Sequence, residues 1–119
     1  MACQGPDDTL PSGYRELAVP IERLETSSAR ERGSQLFLQH CALCHGKNAD
    51  GRGERREGLS RPPADFTSAS WRSGVTPRLV YFSIREGVRG TPMPSWKALK
   101  EDETWDLVAY LLSLTEPRS

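Results

Sequence analysis

Cys41-Ala42-Leu43-Cys44-His45 is the stretch on which the reading of the whole chain turns. Two cysteines two residues apart, with a histidine directly after, suit three chemistries: a redox dithiol, half of a zinc site, or covalent attachment of haem. The flanks discriminate among them. A redox dithiol follows a strand in a βαβ setting. Here the upstream residues are helical: Ser28 and Glu31 are spaced as a capping box, and Leu36 and Phe37 open an apolar face that runs into the cysteines, predicting a helix over 29–40. A structural zinc site needs about four ligands, usually as a second Cys or His pair. The unused candidates, Cys3 and His40, form no such pair.

Covalent haem attachment accounts for every residue of the stretch. Positions 41, 44 and 45 are related as i, i+3 and i+4, so at the end of a helix their side chains share one face. The two thiols can then form thioethers with the haem vinyl groups while His45 lies beneath the iron. An iron that only shuttles electrons takes a second axial ligand, and a thioether sulfur opposite histidine raises the potential and blocks exogenous ligands. Besides Met1 the chain has one methionine, Met93. It lies in Gly90-Thr91-Pro92-Met93-Pro94, where the prolines fix the backbone and remove two N–H donors that an apolar crevice would leave unpaired. A gap-filling core methionine is the alternative. His40 adjoins Cys41 and cannot reach the opposite haem face while the helix holds, so it reads as a surface or packing residue.

Working outward, Thr76-Pro77 is an N-cap followed by proline at the first helical position, and Gly87 is a C-terminal stop, predicting a helix over 77–86. Thr67 is placed to cap a short turn holding Trp71. Glu101, Asp102 and Glu103 stack negative charge at the start of a last helix, in which Trp105, Val108, Ala109 and Leu112 recur at helical spacing before Pro117. The glycines and prolines between Gly46 and Pro63 make a long loop. Nothing alternates as strand, so the fold reads as all-α.

Composition sets the outer limits. At 119 residues and 13.3 kDa the chain fits a single domain. Its hydrophobic content of 36% and mean hydropathy of -0.59 make a thin core, which a haem would help to fill. Lysine plus arginine and aspartate plus glutamate number 16 each, which argues against a nucleic-acid binder. No run approaches the roughly 18 apolar residues of a membrane span, and no signal-peptide pattern opens the chain. Residues 1–27 read as an N-terminal extended arm or tether and 28–119 as the haem domain. Tyr14, Leu17, Val19, Ile21 and Leu24 favour an arm that packs over a solvated linker. Ala2-Cys3 looks like the end of a bacterial lipobox, predicting a lipid on Cys3; an incidental thiol is the alternative.

Together these residues resemble a class I monohaem cytochrome c over about 29–115. Gly33-x-x-x-Phe37-x-x-x-Cys41 matches that family's first helix, where the glycine permits close crossing by the last helix. Leu107-Val108-Ala109-Tyr110-Leu111 is similar to the facing stretch, with Tyr110 near Gly33 and Phe37. The run from Pro62-Pro63-Ala64-Asp65-Phe66 through Trp71 to Arg85-Glu86-Gly87, Met93-Pro94 and Trp96 resembles bacterial domains that feed haem-copper oxidases. The resemblance implies one covalent haem c, with His45 and Met93 as iron ligands and a proline carbonyl, from Pro63 or Pro62, accepting the His45 Nδ1–H. It also places Trp71 where an indole N–H meets a haem propionate, a core aromatic being the alternative. Lys100 departs from the pattern, since Ser, Thr or Asp is usual at that N-cap.

The implied function is one-electron transfer by a monomer, from a respiratory donor complex to a terminal oxidase or reductase, without enzymatic turnover. The rival is a haem enzyme or gas sensor with Met93 labile or unbound. Haem c attachment occurs outside the cytoplasm, which predicts the periplasm or the outer face of the cytoplasmic membrane. Arg72, Arg78, Arg85 and Arg89 lie in the segments leading to Met93 and are expected to steer an acidic partner.

Overall fold

The computed structural model describes residues 6–40, 66–87 and 98–115, and the described residues contain helices and turns but no strand. In chain order they form a 3-10 turn η1 (Pro6–Thr9) and helices α1 (Ile21–Leu24), α2 (Ser27–His40), α3 (Ala69–Ser73), α4 (Pro77–Glu86) and α5 (Glu101–Ser113).

Local chemistry explains where these elements begin. Thr26, not Ser28, opens α2: its hydroxyl accepts the Ala29 N–H at 3.1 Å and its carbonyl accepts the Arg30 N–H at 3.2 Å. The same hydroxyl donates to the Arg23 carbonyl at 2.8 Å, so Thr26 closes α1 and opens α2 together. The Ser28/Glu31 spacing is therefore two residues out of phase with the real cap. α3 is likewise capped one residue later than expected, by Ser68 rather than Thr67, the Ser68 hydroxyl accepting from the Trp71 N–H.

α4 begins and ends where its sequence predicts. Thr76 accepts the Leu79 N–H at 3.2 Å, Pro77 occupies the first turn, and Gly87 stops the helix at φ 76°. That positive φ is inexpensive for glycine alone. At the start of α5 a lysine ammonium cannot accept a hydrogen bond. The Glu103 carboxylate reaches back instead and accepts the Lys100 N–H at 2.9 Å, while the Lys100 carbonyl receives the Thr104 N–H at 2.9 Å.

The crossing of α2 and α5 is the main helix contact. Residues 104–109 of α5 are all buried, so this helix is enclosed on every side rather than along one stripe. Phe37, Leu107, Val108 and Thr104 are the largest side chains sealed in its core. α4 packs on the other side of α5, with Val80, Tyr81 and Ile84 buried between them.

The arm packs through all of the apolar residues that predict it except Ile21, which is 62% exposed, and it is wound into η1, a turn and α1 instead of running extended. Leu10 and Leu24 are buried, and Tyr14, Leu17 and Val19 lie against the core. Asp7 pairs with Arg78 at 3.0 Å and accepts a hydrogen bond from the Thr76 hydroxyl, fixing the arm to the start of α4. Further along, the Leu17 carbonyl accepts from Arg78 Nε at 2.7 Å and the Tyr14 hydroxyl donates to Glu86. The arm thus holds both ends of α4.

Candidate haem centre

Cys3, Cys41, Cys44, His45, Pro62, Pro63, Arg89 and Met93 lie outside the described residues, whereas Trp71 and the scaffold on either side of these positions lie within them. α2 ends at His40, directly before Cys41. One turn earlier on its face, Phe37 is completely buried and forms the hub of an aromatic cluster. Its ring meets Phe66 edge-on with centroids 6.3 Å apart, and Tyr110 of α5 at 5.4 Å. Phe66 in turn meets Trp71 of α3 edge-on at 4.8 Å. Edge-to-face rings at these separations attract through their quadrupoles as well as by burial. The cluster joins α2, α3 and α5 beside the residues that lead to the two thiols.

What brings the helices this close is Gly33. A Cβ there would stand 2.0 Å from the Asp106 carbonyl oxygen and 2.8 Å from Tyr110 Cβ, so only a hydrogen fits. The predicted proximity of Gly33, Phe37 and Tyr110 is thus found. Burial pushes the Tyr110 phenol above its ordinary pKa, leaving it protonated and neutral beside the cluster.

On the Met93 side, α4 ends at Glu86, Gly87 follows it, and the described chain resumes at residue 98. Arg85 Nη1 donates to the Leu99 carbonyl at 2.7 Å, tying the two flanks of the intervening stretch together. Arg85 also lies over Tyr81, its guanidinium carbon 5.9 Å from the ring centroid. With Arg78 bound to Asp7 and Leu17, and Arg72 Nη1 directed at the Val75 carbonyl, these three of the four arginines expected to steer an acidic partner also make intramolecular contacts.

Two features escaped the sequence reading. Asp106, with its side chain 4% exposed, accepts from Arg23 Nε at 3.0 Å, Arg23 Nη2 at 3.2 Å and Arg32 Nε at 2.9 Å, linking α1, α2 and α5. The hydrogen bond to Asp106 raises the pKa of Arg23. A lone acid between Trp105 and the apolar run 107–109 was the available signal. The second is the Tyr14–Glu86 pair, which no local spacing announces.

Two thiols and an imidazole in the c-type spacing, following a helix whose buried glycine crosses the last helix, define a cytochrome c domain carrying covalently bound haem c. The fit rests on that donor set and on the helical frame around Phe37 and Gly33. The family model for cytochrome c oxidase, cbb3-type, subunit III matches residues 28–111, and the chain belongs to that family. It is 29% identical over 83 residues to the cbb3-type cytochrome c oxidase subunit CcoP of Azospirillum brasilense, covering 70% of this chain and 27% of that protein. It is 44% identical over 58 residues to the polyvinylalcohol dehydrogenase of Sphingopyxis sp. (strain 113P3), covering 49% of this chain and 8% of that protein. A chain of the reducing HAO-like protein complex of Kuenenia stuttgartiensis superimposes with a TM-score of 0.68 at 32% identity, over 76% of this chain and 46% of that one. The chain therefore corresponds to one part of longer relatives. It is a monohaem, electron-carrying cytochrome c domain related to oxidase electron carriers.

Proposed function

We propose that this domain carries single electrons from a respiratory donor to a terminal oxidase through a haem ligated by His45 and Met93, and that it does so outside the cytoplasm without turning over a substrate. The match of residues 28–111 to a cbb3-type oxidase subunit carries this reading. The haem supplies reversible one-electron chemistry; the chain's residues hold it in place and tune it. Cys41 and Cys44 would bind it covalently, and His45 and Met93 would ligate the iron and so exclude peroxide and gases. Pro63, or its neighbour Pro62, would orient His45 by accepting its Nδ1–H. The Trp71 indole, set beside Phe66, would bind a propionate. Cys3 is a proposed lipid site; with the arm docked from Asp7 onward, such an anchor would hold the domain close to the membrane.

The spectrum of the ferric holoprotein tests the ligand set. A methionine-sulfur charge-transfer band is expected, and it should vanish in Met93→Ala while the haem stays covalently bound. A wild-type spectrum without the band, together with rapid carbon monoxide binding by the ferrous form, would instead indicate a ligand-binding haem protein. Reduced protein should also deliver electrons to a purified haem-copper oxidase, with the rate followed by stopped-flow absorbance.

A further inference from the structure

The electron-carrier reading leaves a second aromatic series unused. Trp105 of α5, 3% exposed, stacks on Tyr81 of α4 with ring centroids 4.3 Å apart and planes inclined by 30°. Tyr81 lies 6.2 Å from the ring of Tyr14 in the arm, and Tyr14 packs edge-on against Phe82 at 4.8 Å. At the outer end, the Tyr14 hydroxyl donates to Glu86 Oε2 at 2.5 Å. Tryptophan and tyrosine are the aromatic side chains that give up one electron most readily, and phenylalanine is not. The series therefore runs from the buried core to a half-buried phenol bonded to a base.

We propose that Tyr14 and Glu86 form a one-electron, one-proton oxidation site, which collects oxidising equivalents from the Trp105–Tyr81 stack and discharges them at the protein surface. The oxidant is a strong one-electron acceptor, of the class of small inorganic radicals or a high-potential metal complex. It takes one electron from the stack, and the stack is refilled from Tyr14. The Tyr14 O–H bond breaks and the proton passes to Glu86 Oε2. The products are a neutral Tyr14 phenoxyl, a Glu86 carboxylic acid and the reduced oxidant. A soluble thiol or ascorbate then supplies one hydrogen atom's worth of electron and proton, restoring the phenol, and Glu86 loses its proton to solvent.

The geometry selects Tyr14 over Tyr81 as the resting place. A phenol that has lost an electron becomes strongly acidic, so the radical persists only where its proton can leave at once. Tyr14 has a carboxylate at hydrogen-bond distance. Arg85 lies near both phenols, so it does not separate them; the difference is that, among the described residues, no carboxylate is hydrogen-bonded to Tyr81 to take its proton. Burial, then the Glu86 contact, pushes the Tyr14 pKa up to about 12, so the phenol retains its proton at neutral pH until it is oxidised.

The test uses ferric holoprotein oxidised by photogenerated ruthenium(III) tris-bipyridine, with freeze-quenched samples read by electron paramagnetic resonance and ring-deuterated tyrosine to separate tyrosyl from tryptophanyl signals. One dominant tyrosyl radical is expected, forming more slowly in heavy water. Tyr14→Phe should lose it several-fold and show a longer-lived tryptophanyl signal, with the haem spectrum unchanged. Glu86→Gln, whose amide oxygen still accepts the hydrogen bond but is not a base, should lower the yield several-fold. This second variant decides the matter if Tyr14→Phe does not fold. Wild-type tyrosyl yield in either variant, or formation at the same rate in light and heavy water, overturns the proposal.

Discussion

A methyl group added at Gly33 would meet the Asp106 carbonyl oxygen at 2.0 Å and its carbonyl carbon at 2.7 Å. Both are backbone atoms of an enclosed helix, so neither can rotate away, and α2 would have to lift from α5. Overpacking of this kind costs about 3 kcal/mol or somewhat more. Gly33→Ala is expected to lower the urea midpoint of the holoprotein by an amount equivalent to that loss, with Gly33→Leu worse; a midpoint unchanged from wild type would show that the helices do not cross here. Tyr14 gives a pH-dependent counterpart. Its pKa rises from 10.0 to about 12 through burial and the contact with Glu86, and a group raised on folding stabilises the native state fully below its unfolded value. That contribution should be intact below pH 10 and disappear as pH climbs through about 12. Urea unfolding across this window should show a shallower alkaline decline in Tyr14→Phe. Some slope should remain, because burial also raises Tyr81 and Tyr110.

Among the elements, α4 was fully legible because Thr76, Pro77 and Gly87 act on their own neighbours. The start of α2 was not, because Thr26 serves two helices and Ser28 with Glu31 imitates a cap without occupying its position. The joining of α1, α2 and α5 at Asp106 was still less legible, since it depends on three segments meeting in space. Its energetics are asymmetric. Asp106→Asn frees two arginines that are 35% and 49% exposed and can regain water, so the loss should be about 1–3 kcal/mol. Arg23→Met with Arg32→Met leaves a buried carboxylate with neither counter-charge, a situation that costs about 3–5 kcal/mol. Denaturation of both variants should rank the double arginine variant as the less stable. The reverse order would mean that Asp106 is better hydrated than its 4% exposure implies.

At the scale of the molecule, the cofactor could be read from CALCH because thioether attachment and axial ligation impose a fixed local spacing, whereas the partner could not, because docking depends on surfaces assembled from distant segments. Arg78 and Arg85 show the difference: in sequence they are charges near Met93, and in the fold they clamp the arm and the Leu99 carbonyl. The same scale governs stability. The hydrophobic fraction is 36%, and the aromatic cluster of Phe37, Phe66, Trp71 and Tyr110 includes, in Phe37, the residue one helical turn before Cys41, a proposed haem attachment site. A haem that binds the native state alone adds its binding free energy to folding. Its loss would withdraw a large apolar body from a core with little apolar surface to spare. Cys41→Ala with Cys44→Ala, purified without haem, is therefore expected to lose most of its far-ultraviolet helical signal and to melt without a cooperative transition. The α2–α5 crossing alone should not rescue it, since isolated helices of 14 and 13 residues are marginal in water. Native-like helicity with a sharp melt in that apoprotein would show that the polypeptide supplies a complete core and that the haem is an addition to it.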